Sequence, residues 1–255
     1  ISLAGWSQYE NWMWGIATHW FMANLFAVSS LFLLISPSLG LMRFLLALIC
    51  AMLSFISMGQ GFLVFLLGIF VLLIRPGDTN RNSVGKTFLT IAWILITAMA
   101  AFAYWTNYTK PPHHPSMLLF LEQPLDFLKY VSGYQASSLF RDMEFESLLF
   151  GAISLVVFGV SVVVAYIKTK KDPAYYWALA PWISVCLYVI GTGFATGLAR
   201  LGFGWEQALA GRYTTMSSLF FVSLTVLVVS LLKDHLSEKS HFHRFRDIGA
   251  DAMVY

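Results

Sequence analysis

The chain has 255 residues, of which 58% are hydrophobic and 11% charged, with a net charge of +3 and a mean hydropathy of +0.70. A soluble domain carries about 25% charged residues, so this composition leaves too little polar surface for a soluble enzyme, a disordered chain or a nucleic-acid binder, despite a pI near 8.8. Cys50 and Cys186 both fall inside apolar runs, which gives neither a disulfide framework nor a metal site. The chain reads as an all-α integral membrane protein.

A bilayer core takes about 20 apolar residues in a helix, with roughly 17–25 usual. Seven stretches fit or nearly fit: Thr18–Ile35, Leu41–Ser57, Phe62–Ile74, Phe88–Trp105, Leu148–Ile167, Tyr176–Leu198 and Tyr213–Leu232. The third is short because Gly59-Gln60-Gly61 interrupts a longer run. Glycine there predicts a tight turn near one face, since exposed backbone has no place in lipid. The expected organisation is one helical membrane domain over residues 1–232 with outer loops at 1–17, 106–147 and 199–212. A cytoplasmic basic tail, 233–255, follows.

Seven alternating spans put 11 of the 16 lysines and arginines on one side, and Lys110, Lys129, Arg141, Arg200 and Arg212 on the other. This positive-inside bias predicts an outer N-terminus and a cytoplasmic C-terminus. Ile1–Asn11 has neither the basic region nor the apolar core of a signal peptide. The expectation is therefore a piece of a longer polypeptide, or one whose beginning has been removed.

Aromatics crowd the first outer segment: Trp6, Tyr9, Trp12, Trp14 and Trp20. An interfacial belt accounts for them. Gln8, Glu10 and Asn11 among the rings also suit a sugar, which needs stacking on CH faces and hydrogen bonds to hydroxyls. In the next large outer loop, Pro111, Pro112 and Pro115 favour an extended chain around His113 and His114. Adjacent side chains of an extended segment point opposite ways, which is poor geometry for joint metal ligation, and no metal is expected. Asn107-Tyr108-Thr109 matches a loose glycosylation-acceptor pattern. Pro124–Leu139 is moderately apolar but interrupted by Asp126, Lys129 and Gly133, so it is expected to lie in or dip into the interface.

The last outer loop runs from Gly197 through Arg200, Gly202, Gly204 and Glu206 to Gly211, Arg212 and Tyr213. Arginine forks match phosphate oxygens and never deprotonate, and nearby glycines let backbone N–H groups approach the same anion. Two other readings stand beside a phosphate site: an Arg200–Glu206 ion pair, or both arginines snorkelling to headgroups. Gly191-Thr192-Gly193 and Thr196-Gly197 read as small-residue helix packing. Lys168–Lys171 and the tail read as a basic patch facing anionic headgroups.

Several of these elements resemble, in order, a group of uncharacterised bacterial polytopic proteins. They are Gln8-Tyr9-Glu10-Asn11-Trp12-Met13-Trp14-Gly15, Ser57-Met58-Gly59-Gln60-Gly61, Tyr104–Tyr108 with His114-Pro115-Ser116, Arg200–Gly204, and Gly211-Arg212-Tyr213-Thr214-Thr215. That group is similar in style to GT-C glycosyltransferases, which use polyprenyl-phosphate sugars outside the cytoplasm. Its members continue upstream with further spans, and in GT-C enzymes the first outer loop supplies the catalytic carboxylate. This chain begins after that loop, so the resemblance implies the carboxyl-terminal half of a transferase, or a protein without the catalytic part.

On this reading Arg200 and Arg212 would hold the phosphate, Glu10 would serve as base or contact the acceptor with His113 or His114 assisting, and Gln8, Asn11, Trp12, Trp14 and Tyr213 would line the sugar or lipid path. No cofactor is implied beyond the polyprenyl-phosphate sugar as substrate. Expected partners are membrane lipids, the polyprenyl-phosphate carrier and a membrane protein or the missing N-terminal half, with no nucleic acid. The expected location is the bacterial cytoplasmic membrane. A non-enzymatic subunit packing against a larger membrane complex is the competing expectation. A transporter fits less well, because the spans carry almost no charge away from their ends and no inverted repeat is visible.

Overall fold

The computed structural model describes residues 18–76, 85–106, 109 and 115–251, with the side chains of the last helix described as far as residue 233. Every regular element among the described residues is helical. The helices are α1 (Thr18–Leu34), α2 (Leu41–Ser57), α3 (Phe62–Ile74), α4 (Lys86–Thr106), α5 (Leu119–Glu122), α6 (Pro124–Ala136), α7 (Glu144–Lys171), α8 (Ala174–Arg200) and α9 (Thr214–Asp251). Four are long and apolar enough to cross a membrane: α4, α7, α8 and α9. Shorter apolar helices cover Thr18–Leu34, Leu41–Ser57 and Gly59–Ile74. The chain is a helical membrane protein. Helix is the structure its composition demands, because a lipid-facing backbone must satisfy its hydrogen bonds within the segment.

Side-chain hydrogen bonds fix how the helices run. Ser54 Oγ donates to the Ala23 carbonyl and Ser30 Oγ to the Ala47 carbonyl, both at 2.8 Å, so α1 and α2 are antiparallel. The α2–α3 connection is as tight as the glycines predict. A short 3-10 turn covers Gly59–Gly61, and a Cβ on Gly61 would sit 2.4 Å from the Ser54 carbonyl carbon. The indole of Trp93, fully buried, donates to the Phe65 carbonyl at 2.9 Å and ties α4 to α3.

The helix ends gather at two faces. One, the basic face, is locked by Arg75, which is 3% exposed. Its guanidinium donates to the Leu34 carbonyl at 2.8 Å and the Pro37 carbonyl at 3.2 Å, and lies 4.9 Å from the centre of the Trp177 ring. Lys86 Nζ donates to the carbonyls of Leu73 and Arg75 at 2.8 and 2.6 Å. These cations satisfy carbonyls that helix C-termini leave open. α7 ends at the same face with Lys168, Lys170 and Lys171 in its last turn, and begins with Glu144 and Glu146. Both sets complement the helix dipole.

The opposite face, called the loop face below, carries the start of α1, the 59–61 turn, the end of α4 and everything between α8 and α9. α6 is the element that departs most from its hydropathy. Its first half keeps Leu125 and Leu128 exposed, but Tyr130, Val131, Tyr134, Gln135 and Ala136 are all buried against α7, α8 and the 205–209 turn. The segment thus enters the bundle instead of resting on its surface. Small residues admit it: a Cβ on Gly151 of α7 would lie 1.9 Å from the Ser132 carbonyl oxygen, and one on Gly197 of α8 would lie 2.9 Å from the Phe127 ring. The expectation of helix packing at Gly193 and Gly197 is met, with α6 as the partner. α9 continues unbroken past residue 233 to Asp251.

Candidate functional site

Three short 3-10 turns join α8 to α9 across the loop face: Leu201–Phe203, Trp205–Leu209 and Gly211–Tyr213. Gly204 between the first two takes a φ of +96°, a conformation open to glycine and strained for other residues. The turns bring Arg200, at the end of α8, and Arg212, before α9, to one face of the molecule. Arg200 is half-buried and Arg212 exposed. The Arg212 guanidinium lies 5.4 Å from the centre of the Tyr213 ring. Tyr213 is 2% exposed, with its ring 4.9 Å from that of Tyr134 and 6.1 Å from that of Trp20.

The Tyr213 phenol neighbours that of Tyr130 on α6. Burial pushes the Tyr130 phenol above its ordinary range, Tyr213 adds to the rise, and the Arg200 guanidinium opposes it. The two arginines therefore flank a tyrosine pair, Arg200 acting on Tyr130 and Arg212 stacking on Tyr213. The glycines between them pack closely: a Cβ on Gly202 would meet Pro115 at 2.4 Å. At Gly197 and Gly202 the absent side chain makes room for protein neighbours, which differs from the anion cradle expected of the loop glycines.

Around the tyrosines sits an unusual polar interior. The hydroxyls of Tyr130 and Tyr213, both side-chain atoms of the Gln135 amide, and Gln207 Oε1 are buried without a hydrogen-bond partner of good geometry. Nearby polar groups are satisfied. Tyr134 O–H donates to Thr192 Oγ1 at 3.3 Å, and Ser138 and Ser217 share a bond of 2.8 Å, with Ser217 also donating to the Gln135 carbonyl. A buried donor or acceptor left open costs about 1–3 kcal/mol, and folded proteins leave few. Several on adjoining elements mark a place where water or a polar ligand completes the bonding.

A shallow depression of about 300 Å³ lies beside these turns, lined by Arg141, Asp142, Glu144, Glu206, Leu209 and Ala210. It supplies carboxylates on the loop face. No Arg200–Glu206 ion pair is present among the described residues; Glu206 faces this depression instead.

Of the residues singled out from sequence, Arg200, Arg212 and Tyr213 come together here. Gln8, Glu10, Asn11, Trp12, Trp14, His113 and His114 lie outside the described residues. Tyr130, Gln135 and Gln207 were missed. Their signal in the sequence is a tyrosine and a glutamine inside a segment too polar to span yet apolar enough to bury. Asp142 and Glu144 were missed because acidic residues before a long apolar helix also read as ordinary N-terminal charges. No protein-family model, curated protein or solved structure matches the chain.

Proposed function

We propose that the chain is a membrane glycosyltransferase-like protein of the GT-C type, or the carboxyl-terminal half of one. It would handle a polyprenyl-phosphate-linked sugar on the outer face of the bacterial cytoplasmic membrane, for modification of a cell-envelope glycan. The observation that carries this reading is the pair of arginines flanking buried, unpartnered hydroxyl and amide groups on the loop face. Guanidinium groups suit a phosphate, and uncharged donors and acceptors suit sugar hydroxyls.

The accompanying topology is seven crossings with the loop face outside. It is supported by the alternation of helix ends between the two faces and by Arg43, Arg75, Lys86, Lys168, Lys170, Lys171 and Lys233 on the basic side.

In the proposed inverting transfer, Glu10 accepts the proton of the acceptor hydroxyl, with His113 or His114 assisting. The acceptor oxygen bonds to the anomeric carbon as the bond from that carbon to the phosphate oxygen breaks. The electron pair leaves on polyprenyl phosphate, whose charge Arg200 and Arg212 stabilise. In this proposal Gln8, Asn11, Trp12 and Trp14, together with Tyr213, would line the path of the sugar and its lipid.

The test is native mass spectrometry of the gently solubilised protein from its own membrane, with polyprenyl phosphate added in a second sample. An adduct present in the natural chain and lost in both Arg200→Ala and Arg212→Ala is the expected result. An adduct that persists in the double variant overturns the phosphate role. A bare chain, or one carrying a protein partner only, assigns the fold to a non-enzymatic subunit of a larger membrane complex.

A further inference from the structure

A second cavity lies at the other end of the molecule, where α3, α7 and α8 part. It has a volume of about 790 Å³ and is apolar over most of its wall, from Phe158, Ile183 and Leu187 at its inner end to Tyr166, Thr169 and Lys170 at its mouth on the basic face. Along α8 it runs from Tyr176 to Leu187, about 16 Å at 1.5 Å per residue. A single leaflet contributes about 15 Å, half of a core roughly 30 Å thick. The groove is thus one leaflet deep and closes near the middle of the bundle. A partner's membrane-spanning helix needs a track through the whole core, which this groove lacks.

The mouth adds charge. Lys170 lines it, while Lys168 and Lys171, the other lysines in the last turn of α7, face a neighbouring depression together with Asp172. Lys170 Nζ stands 5.4 Å from the centre of the Tyr166 ring, at the end of the groove where its lining turns polar. One wall is unusually bare. Gly159 of α7 lines the cavity, and a Cβ built there meets nothing within 4 Å. Unlike Gly151 in the same helix, Gly159 is not demanded by a protein neighbour; it leaves space.

We infer that this groove holds one acyl chain of an anionic phospholipid from the leaflet at the basic face, with the lipid phosphate bound by Lys170 and Thr169. Depth, apolar wall and cationic mouth match the two parts of that one ligand. The assignment is independent of what the loop face binds.

Gly159→Leu provides the test, because it fills the groove from open space and replaces a glycine with a better helix former. Purified protein is incubated with phosphatidylglycerol or with phosphatidylcholine, and bound lipid is counted by native mass spectrometry. The natural chain is expected to retain phosphatidylglycerol in preference to phosphatidylcholine. Gly159→Leu should cut that retention by about tenfold or more, with unchanged circular dichroism and no loss of thermal stability. Lys170→Gln should erase the preference between the two lipids while leaving some binding of each.

Equal retention of both lipids by the natural chain overturns the inference, as does undiminished phosphatidylglycerol binding in Gly159→Leu. If Gly159→Leu does not fold, Ile183→Phe repeats the test from the facing wall. Displacement of phosphatidylglycerol by polyprenyl phosphate in the natural chain but not in Gly159→Leu assigns the groove to the carrier and overturns the phospholipid.

Discussion

Removing a hydroxyl from a buried tyrosine normally costs stability, and the loop-face site predicts two exceptions. Tyr134 is the ordinary case. Its hydroxyl donates to Thr192 Oγ1 at 3.3 Å, so Tyr134→Phe should lose about 0.5–1.5 kcal/mol. Thr192 keeps its own bond to the Val189 carbonyl at 2.7 Å, which limits the damage. Tyr130 and Tyr213 differ, because each hydroxyl is buried with no partner, a state that costs about 1–3 kcal/mol. Replacing either by Phe removes that cost and keeps the ring packing, including the 4.9 Å contact of Tyr213 with Tyr134. The unliganded protein should therefore be stabilised by about 1 kcal/mol in Tyr130→Phe and in Tyr213→Phe. The gain should turn into a loss when the natural ligand is present, since the ligand would have supplied the missing bonds. Reversible unfolding in mixed micelles gives the free energies, and the double variant gives the coupling between the two phenols. A coupling above about 0.5 kcal/mol is expected, because the two phenols lie within reach of each other. If Tyr213→Phe loses as much stability as Tyr134→Phe, the hydroxyl has a partner inside the protein, and the site loses its main support.

Two further outcomes follow from the packing. Gly151→Ala should cost about 3 kcal/mol, because its Cβ would meet the Ser132 carbonyl oxygen at 1.9 Å and backbone must move; Gly159→Ala eight residues on should instead gain about 0.5–1 kcal/mol, and the same unfolding assay compares them. Arg75→Met should cost about 3 kcal/mol through loss of charge-assisted bonds to Leu34 and Pro37 at the junction of α1, α3 and α8. Arg75→Lys should recover less than half of it, since an ammonium cannot present the same planar fork; full recovery would show that charge alone suffices there.

The sequence by itself determined the helical elements, because lipid leaves an apolar chain almost no other way to satisfy its backbone. The apolar runs at 18–35, 41–57 and 62–74 coincide with α1, α2 and α3 to within a residue, and the glycine interruption at 59–61 is a tight turn. Arg200, Arg212 and Tyr213 stood out because charge beside glycine at a helix end is costly without a purpose. Hydropathy is a one-dimensional sum, however, and could not place α6, whose Tyr130 and Gln135 look too polar for the interior. Only tertiary structure buried them, by laying α6 over Gly151, Gly193 and Gly197, where missing side chains admit its backbone at the first and its side chains at the other two. The same limit hid the groove at the basic face. An empty Gly159 and a packed Gly151 are identical letters in one helix, and what separates them is the neighbour that each one has or lacks.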